Sequence, residues 1–185
     1  MDHLVRHIYA TASDDFSRRF PGQTPRCAVV AQGGFVRGEL NPQSDIDLLF
    51  IYSWKMSPFV ESVTERILYT LWDAGLLVGS AVRTIAESIR LADADLKVKT
   101  AILDTRFLCG DFSLYGDFEK ALAKKLIKRR VAQFIQDKLQ ESSLRHQSYG
   151  GSVYLLEPEV KEGEGGLRDI HTARWIARVK ITAKD

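Results

Sequence analysis

The stretch that most limits what this chain can fold into runs from Ala28 to Tyr52 and reads AVVAQGGFVRGELNPQSDIDLLFIY. An apolar run ends in Gly33 and Gly34, a polar loop follows, and a second apolar run opens with Asp45 and Asp47. That order is strand, turn, strand, with the chemistry at the joint. Along a strand, residues i and i+2 share a face, so Asp45 and Asp47 project together while Ile46 and Leu48 point the other way. Two carboxylates so close raise each other's pKa unless a cation sits between them. A metal site is therefore expected, and hard oxygen donors with room for waters and phosphates favour Mg²⁺ over zinc. Upstream, Gly33 and Gly34 free the backbone to turn sharply and to approach a ligand without a Cβ in the way. Such a turn can form an anion-binding nest, to which Arg37 and Ser44 would add contacts to phosphate oxygens. Phosphate cradle and metal site then face each other across one loop, which suits in-line attack at a nucleoside triphosphate. Gly-Gly alone marks an ordinary turn and D-x-D is common at exposed strand ends; the combination in this order is the specific signal.

The rest of the chain reads as support for that joint. Helical spacing of Leu4, Val5, Ile8, Ala12 and Phe16 predicts a first helix over 3–19, closed by the turn signal Pro21-Gly22. Strands are expected over 27–31, 45–52 and 76–84, with a helix through Val60, Val63, Ile67, Leu71 and Ala74 closed by Gly75. This is a small mixed α/β sheet flanked by helices. Beyond Thr84 the pattern predicts helices over 85–91, 95–108 and 114–144, an irregular Gly- and Glu-rich segment over 147–166, and a last helix over 167–180. Residues 1–90 are thus expected to carry the sheet and its site, and 91–185 a mainly helical region. The abrupt end after that last helix suggests the opening piece of a longer protein.

The chain has 185 residues, 45% of them hydrophobic and 27% charged, enough for one sizeable core. A net charge of +2 and no interleaving of basic and aromatic residues argue against nucleic acid as a partner. The basic run Lys124, Lys125, Lys128, Arg129 and Arg130 reads as a solvated helix face. Cys27 and Cys109 stand far apart and outside any CxxC pair, as buried reduced thiols of a cytosolic protein would. With no signal peptide and no apolar run near the roughly 20 residues a membrane helix needs, a cytoplasmic location with no membrane partner is expected. His146 and His171 lack metal-ligand spacing and read as surface or packing residues. Lys161 and Arg168 flank the Gly-rich segment, within reach of a phosphate or in a structural loop. Trp72 and Trp175 lie on helical apolar stripes and are expected in the core.

The Gly-Gly and Asp-x-Asp pattern resembles the motif of the polymerase β-like nucleotidyltransferase superfamily. More narrowly, GGFVRGELNPQSDIDLLF is similar to the N-terminal nucleotidyltransferase region of the bacterial PII uridylyltransferase/uridylyl-removing enzymes. The likeness continues through LYTLWDAGLLVGSAVRT, TAILDTRFLCGD and LEPEVKEGEGGLRDIHTARWIA. The resemblance implies that Asp45 and Asp47 carry catalytic Mg²⁺ and that Gly33 and Gly34 position the triphosphate. It further implies transfer of UMP from UTP to a tyrosine hydroxyl of the PII nitrogen-signalling protein, with release of pyrophosphate. A tyrosine hydroxyl has a pKa of about 10 and needs help to attack at neutral pH.

The chain departs from the family in three respects. Val36 stands where the family loop has glycine. The third carboxylate common on a later strand of the superfamily is missing from 76–84, and Asp104 falls in a helical pattern that suggests a surface or capping role. The phosphohydrolase and sensing domains of the family are not in this sequence. Two other readings stand beside uridylyl transfer: adenylyl transfer to another acceptor, since no motif residue selects uracil, and a non-catalytic nucleotide-binding or regulatory module.

Overall fold

Two apolar runs, each buried on both faces, form the centre of a four-stranded sheet in the computed structural model, which describes residues 1–23, 26–41, 44–127, 130–149 and 159–183. β1 (Cys27–Gln32) pairs antiparallel with β2 (Ile46–Tyr52), Val29 lying opposite Phe50 and Ala31 opposite Leu48. On the far side of β2 lies β3 (Val78–Thr84), parallel to it. On the far side of β1 lies β4 (Thr105–Gly110), antiparallel, which gives the order β3-β2-β1-β4. A parallel pair needs a crossover, and α3 (Pro58–Asp73) supplies it between β2 and β3. The mixed α/β sheet expected from the sequence is present.

Alternation divides the side chains of β1 and β2 between two cores. Cys27, Val29 and Ala31 with Ile46, Leu48 and Phe50 face a first core closed by α1 (Asp2–Arg19) and α3, through Val5, Ile8, Phe16, Phe59, Val63 and Ile67. Ala28, Val30, Leu49 and Ile51 face a second core. It is closed by α4 (Ile85–Ala94), α5 (Leu96–Leu103), α6 (Phe112–Leu122), α7 (Val131–Tyr149) and α8 (Leu167–Thr182), which bring in Ile89, Ile102, Phe118, Phe134 and Trp175. Coverage on both faces is why these strands read as continuous apolar runs. Local signals set the helix starts. Ser57 caps α3 ahead of Pro58, and Thr84 with Glu87 forms a capping box that turns β3 directly into α4.

Four expectations are corrected. The helix expected over 95–108 stops at Leu103, and 105–110 forms β4 instead. The free edge of β1 offers that segment a ladder of backbone hydrogen bonds, which outweighs its helical pattern. The sheet therefore takes a strand from beyond residue 90. The single helix expected over 114–144 is two: α6 runs on into a wider π turn (Ala123–Ile127), and Arg130 has a positive φ of 56° ahead of α7. Phe118 and Phe134 share the second core, yet a straight helix would separate them by about 24 Å. The buried stripe of α7 passes through Phe134 and Lys138, which leaves Leu139 57% exposed. Trp72 is also largely exposed, one residue round from the buried Leu71, whereas Trp175 lies in the core as expected.

Cys27 and Cys109 are free, and burial pushes both thiols up to about 12. Among the described residues no helix is long and apolar enough to cross a membrane.

Candidate active site

The acids lie where the second core runs out. Ile46 and Leu48 are buried in the first core, so Asp47 falls on the opposite face, in line with Leu49 and Ile51 and one step beyond them. Asp45 is exposed and immediately precedes β2; Asp47 is half-buried. Burial raises the Asp47 pKa, Asp45 raises it further, and the charges of Arg37 and Lys161 pull the other way.

Gly33 begins α2 (Gly33–Arg37), a short helix that follows β1 with only Gln32 as cap. The glycine pair thus opens a helical turn where an irregular loop was expected. Gly33 has a φ of +59°, and a Cβ on it would stand 2.3 Å from Asp47 Oδ2. The backbone conformation requires glycine there, and a Cβ would also displace the neighbouring carboxylate. The Gly34 carbonyl accepts hydrogen bonds from the Gly38 and Glu39 amides, which closes the turn. Val36 is helical and packs against the first core. Among the described residues Arg130 alone has a positive φ without being glycine, so the β-branched side chain at position 36 meets no backbone conflict.

The two expected phosphate contacts are already engaged within the protein. Ser44 Oγ accepts from the Asn41 amide at 3.1 Å and fixes the turn ahead of Asp45. The Arg37 side chain is 8% exposed; its Nε donates to Glu39 Oε2 at 2.7 Å and its Nη1 to Asp104 Oδ2 at 3.0 Å. Glu39 Oε2 also lies 2.9 Å from His171 Nε2, and Asp104 Oδ2 accepts from Trp175 Nε1 at 2.8 Å. One network thus joins the α2 turn, the head of β4 and one face of α8. Burial, then the Arg37 charge, pushes the His171 pKa down. Burial raises that of Glu39, but Arg37 and His171 outweigh it and hold this carboxylate below its usual range.

Asp104 is the principal residue the sequence misplaced. It is the C-cap residue of α5, directly before β4, as the capping reading has it, but its side chain is only 14% exposed, which overturns the surface reading. Thr105 pairs with Gln32 across β4 and β1, and Leu48 pairs with Ala31 across β2 and β1. Asp104, immediately before β4, and Asp47, on β2, therefore lie at the same end of the sheet, on either side of β1. An acid directly before TRFLCG, read as a strand, was the available signal.

A glycine-rich turn over 159–166 leads into α8. The Leu167 amide donates to Val160 O at 3.0 Å and that of Arg168 to Lys161 O at 2.9 Å. A Cβ on Gly166 would stand 2.7 Å from Val160 O, so the crossing admits only glycine. Asp169 pins the turn to α7: it accepts from the Gly165 amide at 2.8 Å, from His146 Nε2 at 2.9 Å and from Arg145. Burial raises the Asp169 pKa, but these hydrogen bonds prevail and hold it well below the usual carboxylate range. Arg168 is taken up by Glu162, whereas Lys161 is exposed, with no ion pair among the described residues, and its charge acts on Asp47.

Asp45 and Asp47 offer only hard oxygen donors, and their mutual repulsion is what a cation would relieve, so the pair fits a divalent ion such as Mg²⁺. Among the described residues no group of three or more His, Cys, Asp or Glu side chains is gathered to hold a metal.

Residues 11–108, more than half of the chain, match the nucleotidyltransferase domain family. The chain belongs to that family. Residues 133–185 match the family described as GlnD PII-uridylyltransferase. Over 99% of its length the chain is 47% identical to the bifunctional uridylyltransferase/uridylyl-removing enzyme of Bradyrhizobium sp. (strain ORS 278). It is 45% identical over 100% of its length to the enzyme of the same description from Bradyrhizobium diazoefficiens, and 45% identical over 96% to that from Rhodospirillum rubrum. These matches cover 20%, 20% and 18% of the relatives, so the chain spans about one fifth of their length. The likeness to the nucleotidyltransferase region of those enzymes, first seen in the motifs, is borne out along the whole chain. A solved toxin-antitoxin structure with AMP-PNP overlaps 72% of this chain and 97% of its own, at a TM-score of 0.39 and 12% identity, too loose a likeness to build on.

Proposed function

We propose that this chain is a uridylyltransferase unit that moves UMP from UTP to a tyrosine hydroxyl of the PII nitrogen-signalling protein and releases pyrophosphate. The observation that carries the reading is the Asp45 and Asp47 pair at the head of β2, set against the glycine turn of α2, in a chain 47% identical to enzymes of that description. The tyrosine oxygen attacks the α-phosphorus; the new O–P bond forms as the bond to the β-phosphate oxygen breaks and pyrophosphate leaves. Mg²⁺ bound at Asp45 and Asp47 would supply charge neutralisation for the triphosphate and the leaving pyrophosphate. Gly33 and Gly34 let the triphosphate approach the backbone closely, and Ser44 retains a hydroxyl proton to donate to a phosphate oxygen. Lys161, exposed and unpaired among the described residues, is the cation we assign to the phosphates from the far side. Arg37 contributes from its place in the ion-pair network: it holds the α2 turn against β4 and offers its remaining N–H groups to phosphate. Asp104 is the third acid we assign, to receive the phenolic proton, because it heads the strand on the other side of β1 at the same end of the sheet.

The test is to incubate the chain with Mg²⁺, PII and labelled UTP or ATP in parallel, beside an Asp45→Ala/Asp47→Ala variant. Label on PII from UTP alone, lost in the variant, is the expected result. A preference for ATP would make it an adenylyltransferase. Nucleotide binding with no transfer at saturating PII would reduce it to a binding module.

A further inference from the structure

Most glycines that turn this chain do so through their backbone: Gly22, Gly38 and Gly75 have positive φ and open space where a Cβ would stand. Gly79 is the reverse. Its φ lies outside the left-handed region, so any residue could adopt its backbone, yet a Cβ there would stand 2.6 Å from Asp47 Oδ1 and 3.8 Å from Asp47 Cγ. Nothing else lies within 4 Å. Gly79 is the direct partner of Asp47 in the parallel pairing of β2 and β3, in a register that runs without a shift from Ile46 and Val78 to Tyr52 and Thr84. No bulge or bend accounts for a glycine here. Inside a strand, glycine is a cost in stability relative to alanine, so the position needs a reason.

The reason lies on the other side of the carboxylate. A short side chain facing one added methyl group would swing away at little cost. Asp47 has little room to swing, because its carboxylate already fills the space both glycines leave: a Cβ added to Gly33 would stand 2.3 Å from Oδ2, as one added to Gly79 would stand 2.6 Å from Oδ1. Two glycines from different elements, the head of α2 and the edge strand β3, form a slot one carboxylate wide.

We infer that Gly79 is a positioning residue for nucleotidyl transfer: by carrying no side chain, it lets Asp47 hold its carboxylate upright between β1 and β3, where the triphosphate and its cation would meet it. The effect on rate rests on the proposed transfer reaction; the slot itself does not. A merely structural glycine and a positioning one predict opposite pairs of results for Gly79→Ala. The expected pair is a melting temperature at or above that of the unaltered chain, together with a fall in kcat of about a hundredfold and little change in KM for the nucleotide. A parallel crystal structure of the variant is expected to show the Asp47 carboxylate rotated out of the slot. An unmoved carboxylate, a kcat within about threefold of the unaltered chain, or a variant that fails to fold would each overturn the inference. Should the unaltered chain transfer no nucleotide at all, the proposed function fails, and the crystal structure and Mn²⁺ binding followed by electron paramagnetic resonance decide the slot by themselves. A displaced carboxylate with weakened Mn²⁺ binding supports it, and an unmoved one with unchanged binding overturns it.

Discussion

The two faces of the sheet are made by the same strands and differ at one end. On the first, Ile46, Leu48 and Phe50 are buried in a row beneath α1 and α3. On the second, Ile51 and Leu49 are buried, but the next place in the row is Asp47, and the row continues to Asp45. The closed face can only hold the fold together. The open one half-buries a carboxylate next to a second carboxylate, an arrangement that raises the Asp47 pKa and persists because packing elsewhere fixes it. The site is thus the place where a core stops.

The contrast can be broken most directly at its two ends. Asp47→Ala is expected to lower transfer by roughly three orders of magnitude with the melting temperature unchanged or raised, since it removes a repelled, half-buried charge. Kinetics and calorimetry on one preparation would check it, and a parallel loss of stability would merge the two faces into one structural unit. Phe50→Ala should do the opposite, costing about 3–5 kcal/mol in urea unfolding while the folded fraction keeps its turnover. Arg37→Met sharpens the link between α2 and α8. It strips Asp104 and Glu39 of their shared guanidinium and is expected to cost about 2 kcal/mol, with Arg37→Lys restoring only part of that, because an ammonium cannot fork between two carboxylates.

Smaller effects are expected further from the sheet. The Asp169 pKa is depressed in the folded chain, so its contribution to stability is present above the unfolded value of about 4 and is lost as pH falls through the folded one. Melting temperatures taken downward from about pH 6 should fall on that limb, and Asp169→Asn should flatten it. Least of all should happen at the cysteines: with both thiols pushed up to about 12, alkylation at about pH 8 should leave Cys27 and Cys109 unmodified by mass spectrometry until the chain unfolds.

How far the site could be read in advance depended on how local each signal was. Asp45 and Asp47 were legible because a period of two decides which way strand residues face, and burial of Ile46 and Leu48 fixes the row. Gly33 was legible as a turn residue, but its closeness to Asp47 was not, since that approach brings α2 to β2 through space. Asp104 was misread because TRFLCG satisfies a helical pattern as well as a strand, and only the free edge of β1 chose between them. Gly79 left no mark at all: a glycine in an apolar strand does not say which side chain crowds it.

What the sequence by itself determined was the first three strands with the helices α1 and α3 around them, the face on which the acids stand and the family to which the chain belongs. These follow from side-chain periodicity and from residues close together along the chain. Tertiary structure alone decided that β4 joins the sheet, that Arg37 is held by Asp104 and Glu39, that α8 reaches Glu39 through His171 and Asp104 through Trp175, and that two glycines lie on either side of Asp47. All but the Arg37–Glu39 pair join residues well separated along the chain, and no periodicity carries information over such separations; only tertiary packing brings them together.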